Sequence, residues 1–171
     1  MPVYALGDRT PTIHPDAFVH PDAVIIGDVH IGANSSVWPS AVLRGDYGTV
    51  IVGERTSVQD GAIIHAVHEF PTVIGNDCVI GHLAHLEGCV IEDRALVGSG
   101  SIVLHQAVVH SGATVGAGAV VRNRMDVPAN ALAVGVPAII KLDVSGDASI
   151  LENAASYVAN ANWYKKELRL L

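Results

Sequence analysis

The 171-residue chain carries a formal charge of −7, with 10 Lys and Arg against 17 Asp and Glu, and half of it is hydrophobic while only 5% is aromatic. That balance argues against nucleic acid as a main partner, because a phosphate backbone is gripped by clustered cations, and no apolar run reaches the roughly 18 residues of a membrane span. The length suits one domain whose core is filled by Val, Ile, Leu and Ala instead of rings.

The N-terminal stretch MPVYALGDRTP has neither the basic nor the apolar region of a secretory signal. Cys78 and Cys89 are too few for a disulfide framework, so a cytoplasmic location is expected. From Ile13 onward an aliphatic residue recurs every six positions, through Val19, Ile25, Ile31, Val37 and Leu43. Four positions after the first five stand Ala17, Ala23, Val29, Ser35 and Ala41. The phase breaks, resumes with Val52, Val58 and Ile64, breaks again, and resumes with Ile74, Ile80 and Leu86. A last run goes from Ile91 to Val127.

A period of six fits neither a helix, at about 3.6, nor a simple sheet, at about 2. It fits a parallel β-helix, in which each hexapeptide is a short strand and a corner and three make a triangular coil. The aliphatic residue and the small residue four later point inward, and the narrow interior explains the scarcity of rings. About nineteen units predict roughly six coils. Residues 46–51 and 67–73 fall outside the repeat and are expected to bud from the coils as loops. The coils are assigned residues 1–140. After Pro137 the apolar spacing turns helical, through Ile150, Leu151, Ala154, Tyr157, Val158 and Ala161. This predicts a helix over 147–168, packed outside the coils as part of the same domain.

The period converts sequence into columns. Leu43, Ile64 and Leu86 are three units apart, so the residues after them, Arg44, His65 and Glu87, stack outward on one face at about 5 Å, the spacing of adjacent strands. Val58 and Ile80 set Asp60 beside His82 on the neighbouring face, with Gln59 next to both. One chain does not bring His65, Glu87 and His82 to a single point, but prisms packed side by side as a homotrimer would let a neighbour supply the missing group. Of the nine histidines, His14, His20, His30, His105 and His110 read as surface residues. Cys78 takes an inward small-residue position.

The segments LRGDYGTVIVGERTSVQDGAIIH and IGHLAHLEGC resemble the gamma-class carbonic anhydrases and their close relatives. The resemblance covers almost the whole chain, and the order R-G-D, Q-D-G-x-x-x-H, G-H is its specific part. It implies a left-handed β-helix, a homotrimer and a zinc ion, with iron or cobalt as alternatives, at each subunit interface. It assigns metal binding to His65 of one subunit and His82 of its neighbour, and an ion pair beside the site to Arg44 and Asp46. It gives Gln59 and Asp60 the task of orienting a water on the metal, for hydration of carbon dioxide to bicarbonate.

The chain departs from the pattern where it matters. Glu87 stands in place of the family's third histidine, His85 is an added histidine two residues earlier, and the proton-carrying acids are absent, with Tyr47 after Asp46 and His68 in place of a loop glutamate. His68 is the candidate proton carrier, since an ordinary imidazole titrates near pH 6.5. For the third ligand His85 is favoured, with Glu87 as support or alternative. Two other readings stay open. One is a hexapeptide acyltransferase using acyl-coenzyme A, because GVPAIIK resembles the coil-ending motif of that group. The other is a noncatalytic trimeric metal-binding protein.

Overall fold

The computed structural model describes residues 2–144 and 146–171. Among them short parallel strands wind into a left-handed β-helix of about 7 turns, followed by one helix, Asp147–Glu167. The first face stacks Phe18–Val19, Ser36–Val37, Ser57–Val58, Val79–Ile80, Leu96–Val97, Thr114–Val115 and Leu132–Val134. Strand Ile139–Lys141 closes that face in antiparallel fashion. The second face stacks residues 24–27 and 42–45 with Ile63–His65, His85–Glu87, Ile102–Val103 and Val120–Val121. The third stacks residues 29–31 and 50–52 with Thr72–Ile74, Val90–Ile91, Val108–Val109 and Asp126–Val127. The additional turn comes from segments the period does not count: Val3–Tyr4 pairs with Val24–Ile31, and Leu132–Val134 prolongs the first face beyond Val127.

The inward positions are those of the period. Ile25, Leu43, Ile64, Leu86, Val103 and Val121 line the second face from inside, each at 0% exposure. Burying each such side chain contributes about 1.5–3 kcal/mol. Alanines such as Ala23, Ala41, Ala62 and Ala84 fill the narrow corners. Ser35 is buried at an inward position because its hydroxyl is satisfied: it donates to Gly53 O at 2.6 Å and accepts from Thr56 N at 2.9 Å. Cys78 is buried there too, and burial pushes its thiol up to about 12.

Residues 46–51 are not a loop. Strand Val42–Val52 runs without interruption from the second face onto the third, alongside Val24–Ile31. The corner is built from glycines: Gly27 lies in the left-handed region at φ +78°, and a Cβ there would run into the Gly45 carbonyl. With no side chain between them the two backbones pair up to Gly27 and Gly45, residues 46–49 then bulge opposite Asp28 alone, and pairing resumes at Val29 and Val50. The second phase break does leave the coil. Val67 and Phe70 exchange backbone hydrogen bonds of 3.2 Å across a tight turn before Thr72–Ile74 rejoins the third face.

The helix lies on the outside of the first face, where most of the large rings are. Phe18 and Trp38 pack against Ala161, Tyr157 and Tyr164, with the Trp38 and Tyr164 rings edge-on at 5.0 Å. The Trp38 indole N–H is shared between Ser36 Oγ and Ser57 Oγ, both at 3.0 Å. Ile150 and Ala154 are buried with Ala161, whereas Leu151 is exposed. The helix ends at Glu167, and the Leu168 N–H caps Tyr164 O at 3.0 Å. Among the described residues no helix is long and apolar enough to cross a membrane.

Candidate metal centre

Because side chains alternate across a strand, the residues flanking the inward aliphatics face out and stack from coil to coil. Arg44, His65 and Glu87 stand in one register row on the second face. His65 Nδ1 lies 2.9 Å from Glu87 Oε1, and His65 Nε2 lies 2.9 Å from Asp46 Oδ1. The second oxygen of Asp46 takes the Arg44 guanidinium, so that ion pair forms within the chain. His65 is thus held at both ring nitrogens, with its side chain only 12% exposed.

Charge settles the protonation of the two carboxylates. For Asp46, burial raises the pKa, but hydrogen bonds with His65 and Arg44 outweigh it and hold the carboxyl below the usual range. For Glu87 burial again raises the pKa, and hydrogen bonds with His65 and His85, with the charge of His105, win and lower it. Both are anionic at neutral pH.

The other oxygen of Glu87 faces two more imidazoles. His85 Nε2 is 3.4 Å from Glu87 Oε2, and His105 Nε2 is 3.6 Å from the same atom. His85 flanks Leu86 on the side of Glu87, as the alternation requires. His105 is a correction to the sequence reading, which left it on the surface. Its ring rests over Gly88, where a Cβ would stand 3.0 Å from His105 Cδ2 and 3.1 Å from Phe70 Cβ. A signal was present: Leu86 pairs with Val103, so His105 lies one residue past the Glu87 row. A count of inward positions does not register that a corner side chain reaches back.

The second half of the predicted set leaves elsewhere. Ile80 pairs with Val58, and His82 Nδ1 stands 3.0 Å from Asp60 Oδ2, both side chains about half exposed. Gln59, adjoining Asp60, is buried. From the helix, Tyr157 approaches this end; burial and then the Asp60 charge push its phenol up. His82 makes no hydrogen bond or ion pair with His65, His85 or Glu87, and among the described residues no group of three or more His, Cys, Asp or Glu side chains is placed to hold a metal ion within the one chain. His68 is exposed in the Val67–Phe70 turn, without a side-chain partner among the described residues.

Large apolar side chains are exposed beside these groups. Tyr47 follows Asp46 at 61% exposure, Leu83 follows His82 at 71%, and Ile63 pairs in register with His85 at 39%. Leu83 also holds the left-handed conformation at φ +59°, which L residues rarely adopt. Imidazole nitrogens and carboxylate oxygens are the donor types of zinc, iron and cobalt, so the donor chemistry fits such a cation.

The chain belongs to the bacterial transferase hexapeptide-repeat family, whose six-repeat model matches residues 10–45, 71–104 and 88–123, and its curated relatives lie in the group of gamma-carbonic-anhydrase-like proteins. It is 40% identical over 158 residues to the mitochondrial gamma carbonic anhydrase 1 of Arabidopsis thaliana, covering 88% of this chain and 58% of that one. It is 42% identical over 147 residues to the carnitine operon protein CaiE of Escherichia coli, covering 86% of this chain and 75% of that one. Among solved structures, a candidate acetyltransferase of Bacillus cereus matches with a TM-score of 0.92 at 33% identity, covering 97% of this chain and 98% of the other.

Proposed function

We propose that the chain is a metal-dependent enzyme of the gamma-carbonic-anhydrase type that interconverts carbon dioxide and bicarbonate at the interfaces of a homotrimer. The observation that carries this reading is the split of the donor set. His65 and Glu87 stand together on the second face, while His82 leaves beside Asp60 and does not reach them in one chain. Side-by-side packing of three prisms would bring His82 of a neighbour toward His65 and would cover Tyr47, Ile63 and Leu83.

Zinc is the expected cation: His65, His82 of the neighbour and the segment from His85 to Glu87 would hold it, and when bound it would supply an acidified water at neutral pH. The chain's own residues do the remaining work. Asp46 and Arg44 fix the His65 ring from behind. Asp60 fixes the His82 ring, and Gln59 and Asp60 orient the attacking water. His68, exposed in its turn, takes the released proton to solvent buffer. The apolar rim keeps bulk water from an uncharged substrate.

The test is to express the chain, load it with zinc, and measure mass by light scattering, metal content and carbon dioxide hydration. Three chains per particle, about one zinc per chain and hydration abolished by chelation are expected. A monomer that binds zinc tightly contradicts the shared site. Two observations favour an acyltransferase as the second reading: the likeness to the Bacillus cereus protein, and the segment GVPAIIK at 135–141, whose strand Ile139–Lys141 closes the last turn. Acetyl transfer from acetyl-coenzyme A by metal-free protein would establish it. Normal zinc content with neither activity would establish a noncatalytic binding protein.

A further inference from the structure

Glu87 meets His65 through one oxygen and two other imidazoles through the second, and this division assigns the segment's roles. Resting on the metal reading above, we infer that Glu87 itself is the donor through Oε1, and that His85 and His105 are positioning residues that clamp Oε2.

Register separates the two contenders for the donor role. Glu87 pairs with His65, whereas His85 pairs with Ile63, two places earlier along the strand. Donor atoms that share a tetrahedral cation at about 2.0–2.2 Å stand roughly 3.3–3.6 Å apart, so partners of one ring nitrogen must already lie within that reach. Glu87 Oε1 is already 2.9 Å from the His65 ring. His85, by contrast, approaches the row through Glu87 Oε2, at 3.4 Å. A carboxylate donor needs its remaining oxygen held, and such supporting contacts typically govern metal affinity by 10–100-fold.

His105 supplies the second half of the clamp, and its place is built. It comes from the next coil, its Nε2 is 3.6 Å from Oε2, and its ring lies so close to Gly88 that a Cβ there would stand 3.0 Å from Cδ2. Gly88 also sits at φ +61°, so the corner both bends and opens at the residue after the carboxylate. The Gly88 N–H is tied to Thr72 Oγ1 at 2.7 Å, which fixes the backbone under the ring. His85 and His105 therefore approach one oxygen from two coils and favour the carboxylate orientation that faces His65.

Zinc affinity by chelator competition and the visible spectrum of the cobalt-substituted protein separate the roles. Glu87→Gln should weaken zinc binding by more than about 100-fold and change the cobalt spectrum, as expected for loss of a donor. His85→Ala and His105→Ala should each weaken it about 10–100-fold with the cobalt bands preserved. His105→Gln, which keeps an N–H at the reach of Nε2, should restore most of the loss and guards against a corner unsettled by alanine. Stripping of the metal by His85→Ala, with retention in Glu87→Gln, would overturn the assignment. So would a His105→Ala protein that binds zinc as the parent does. A parent trimer that binds no zinc would instead remove the metal reading, and this inference with it.

Discussion

Two histidines in this molecule make the same contacts and live in different surroundings. His65 stands between Asp46 and Glu87, each at 2.9 Å; His110 stands between Glu92 at 3.0 Å and Asp126 at 2.8 Å. Both are rungs of a carboxylate–imidazole–carboxylate ladder that runs up a face of the coil. The His110 ladder ends there, its spare Glu92 oxygen taken by the Ser111 N–H at 3.0 Å. Around His65 the donors continue, to Arg44 on one side and to His85 and His105 on the other. A ladder of charge is thus a generic product of stacked outward positions. What sets the His65 row apart is the surplus of donors and the exposed apolar rim, not the pairing itself.

The sharpest way to break the comparison is to remove each histidine. If the proposed zinc trimer forms, His65→Ala should lower its metal affinity and carbon dioxide hydration by more than about 100-fold, while His110→Ala should leave both within about two-fold. Equal losses would erase the distinction. A second contrast lies beneath the ladder. Leu86 is fully buried under the site, and Leu86→Ala should cost about 2–5 kcal/mol in denaturant unfolding. A cost near zero would mean the coil interior is not close-packed there.

The smallest effect belongs to the His110 ladder and depends on pH. Hydrogen bonding to Asp126 raises the His110 pKa, burial opposes this, and Glu92 adds to the rise; the net shift is upward from 6.5. A group whose pKa is raised on folding stabilises fully below its unfolded value, and the gain fades as pH rises through its folded value. His110→Gln should therefore destabilise the protein near pH 6 and leave it almost unchanged near pH 9. With a third of the side chain exposed, the loss should not exceed about 1 kcal/mol. A larger loss at pH 9 than at pH 6 would reverse the sign and refute the ladder's charge.

Much of this was legible in the sequence because a β-helix is quasi-one-dimensional. A fixed step turns position into height and face, so the row of Arg44, His65 and Glu87 and the neighbourhood of Asp60 and His82 followed from counting aliphatics. Counting failed where the chain inserts residues. Strand Val42–Val52 absorbs its insertion as a bulge of residues 46–49 at a glycine-lined corner, after which pairing resumes, and a phase break in the period looks the same as a loop. His105 escaped for a related reason. Periodicity assigns a face to strand residues, but a corner side chain chooses its direction from the space available, here the gap over Gly88. Nor does any period along one chain describe what lies across an interface, which is where the proposed function divides the donor set.

The most direct test mixes two inactive proteins. His65→Ala and His82→Ala chains are unfolded separately, combined in equal amounts and refolded into trimers, and zinc content is measured. If each centre takes His65 from one subunit and His82 from the next, random assembly should restore about one centre in four, while each variant refolded alone stays empty. No recovery in mixed trimers, with both parents properly assembled, would contradict a centre shared between subunits.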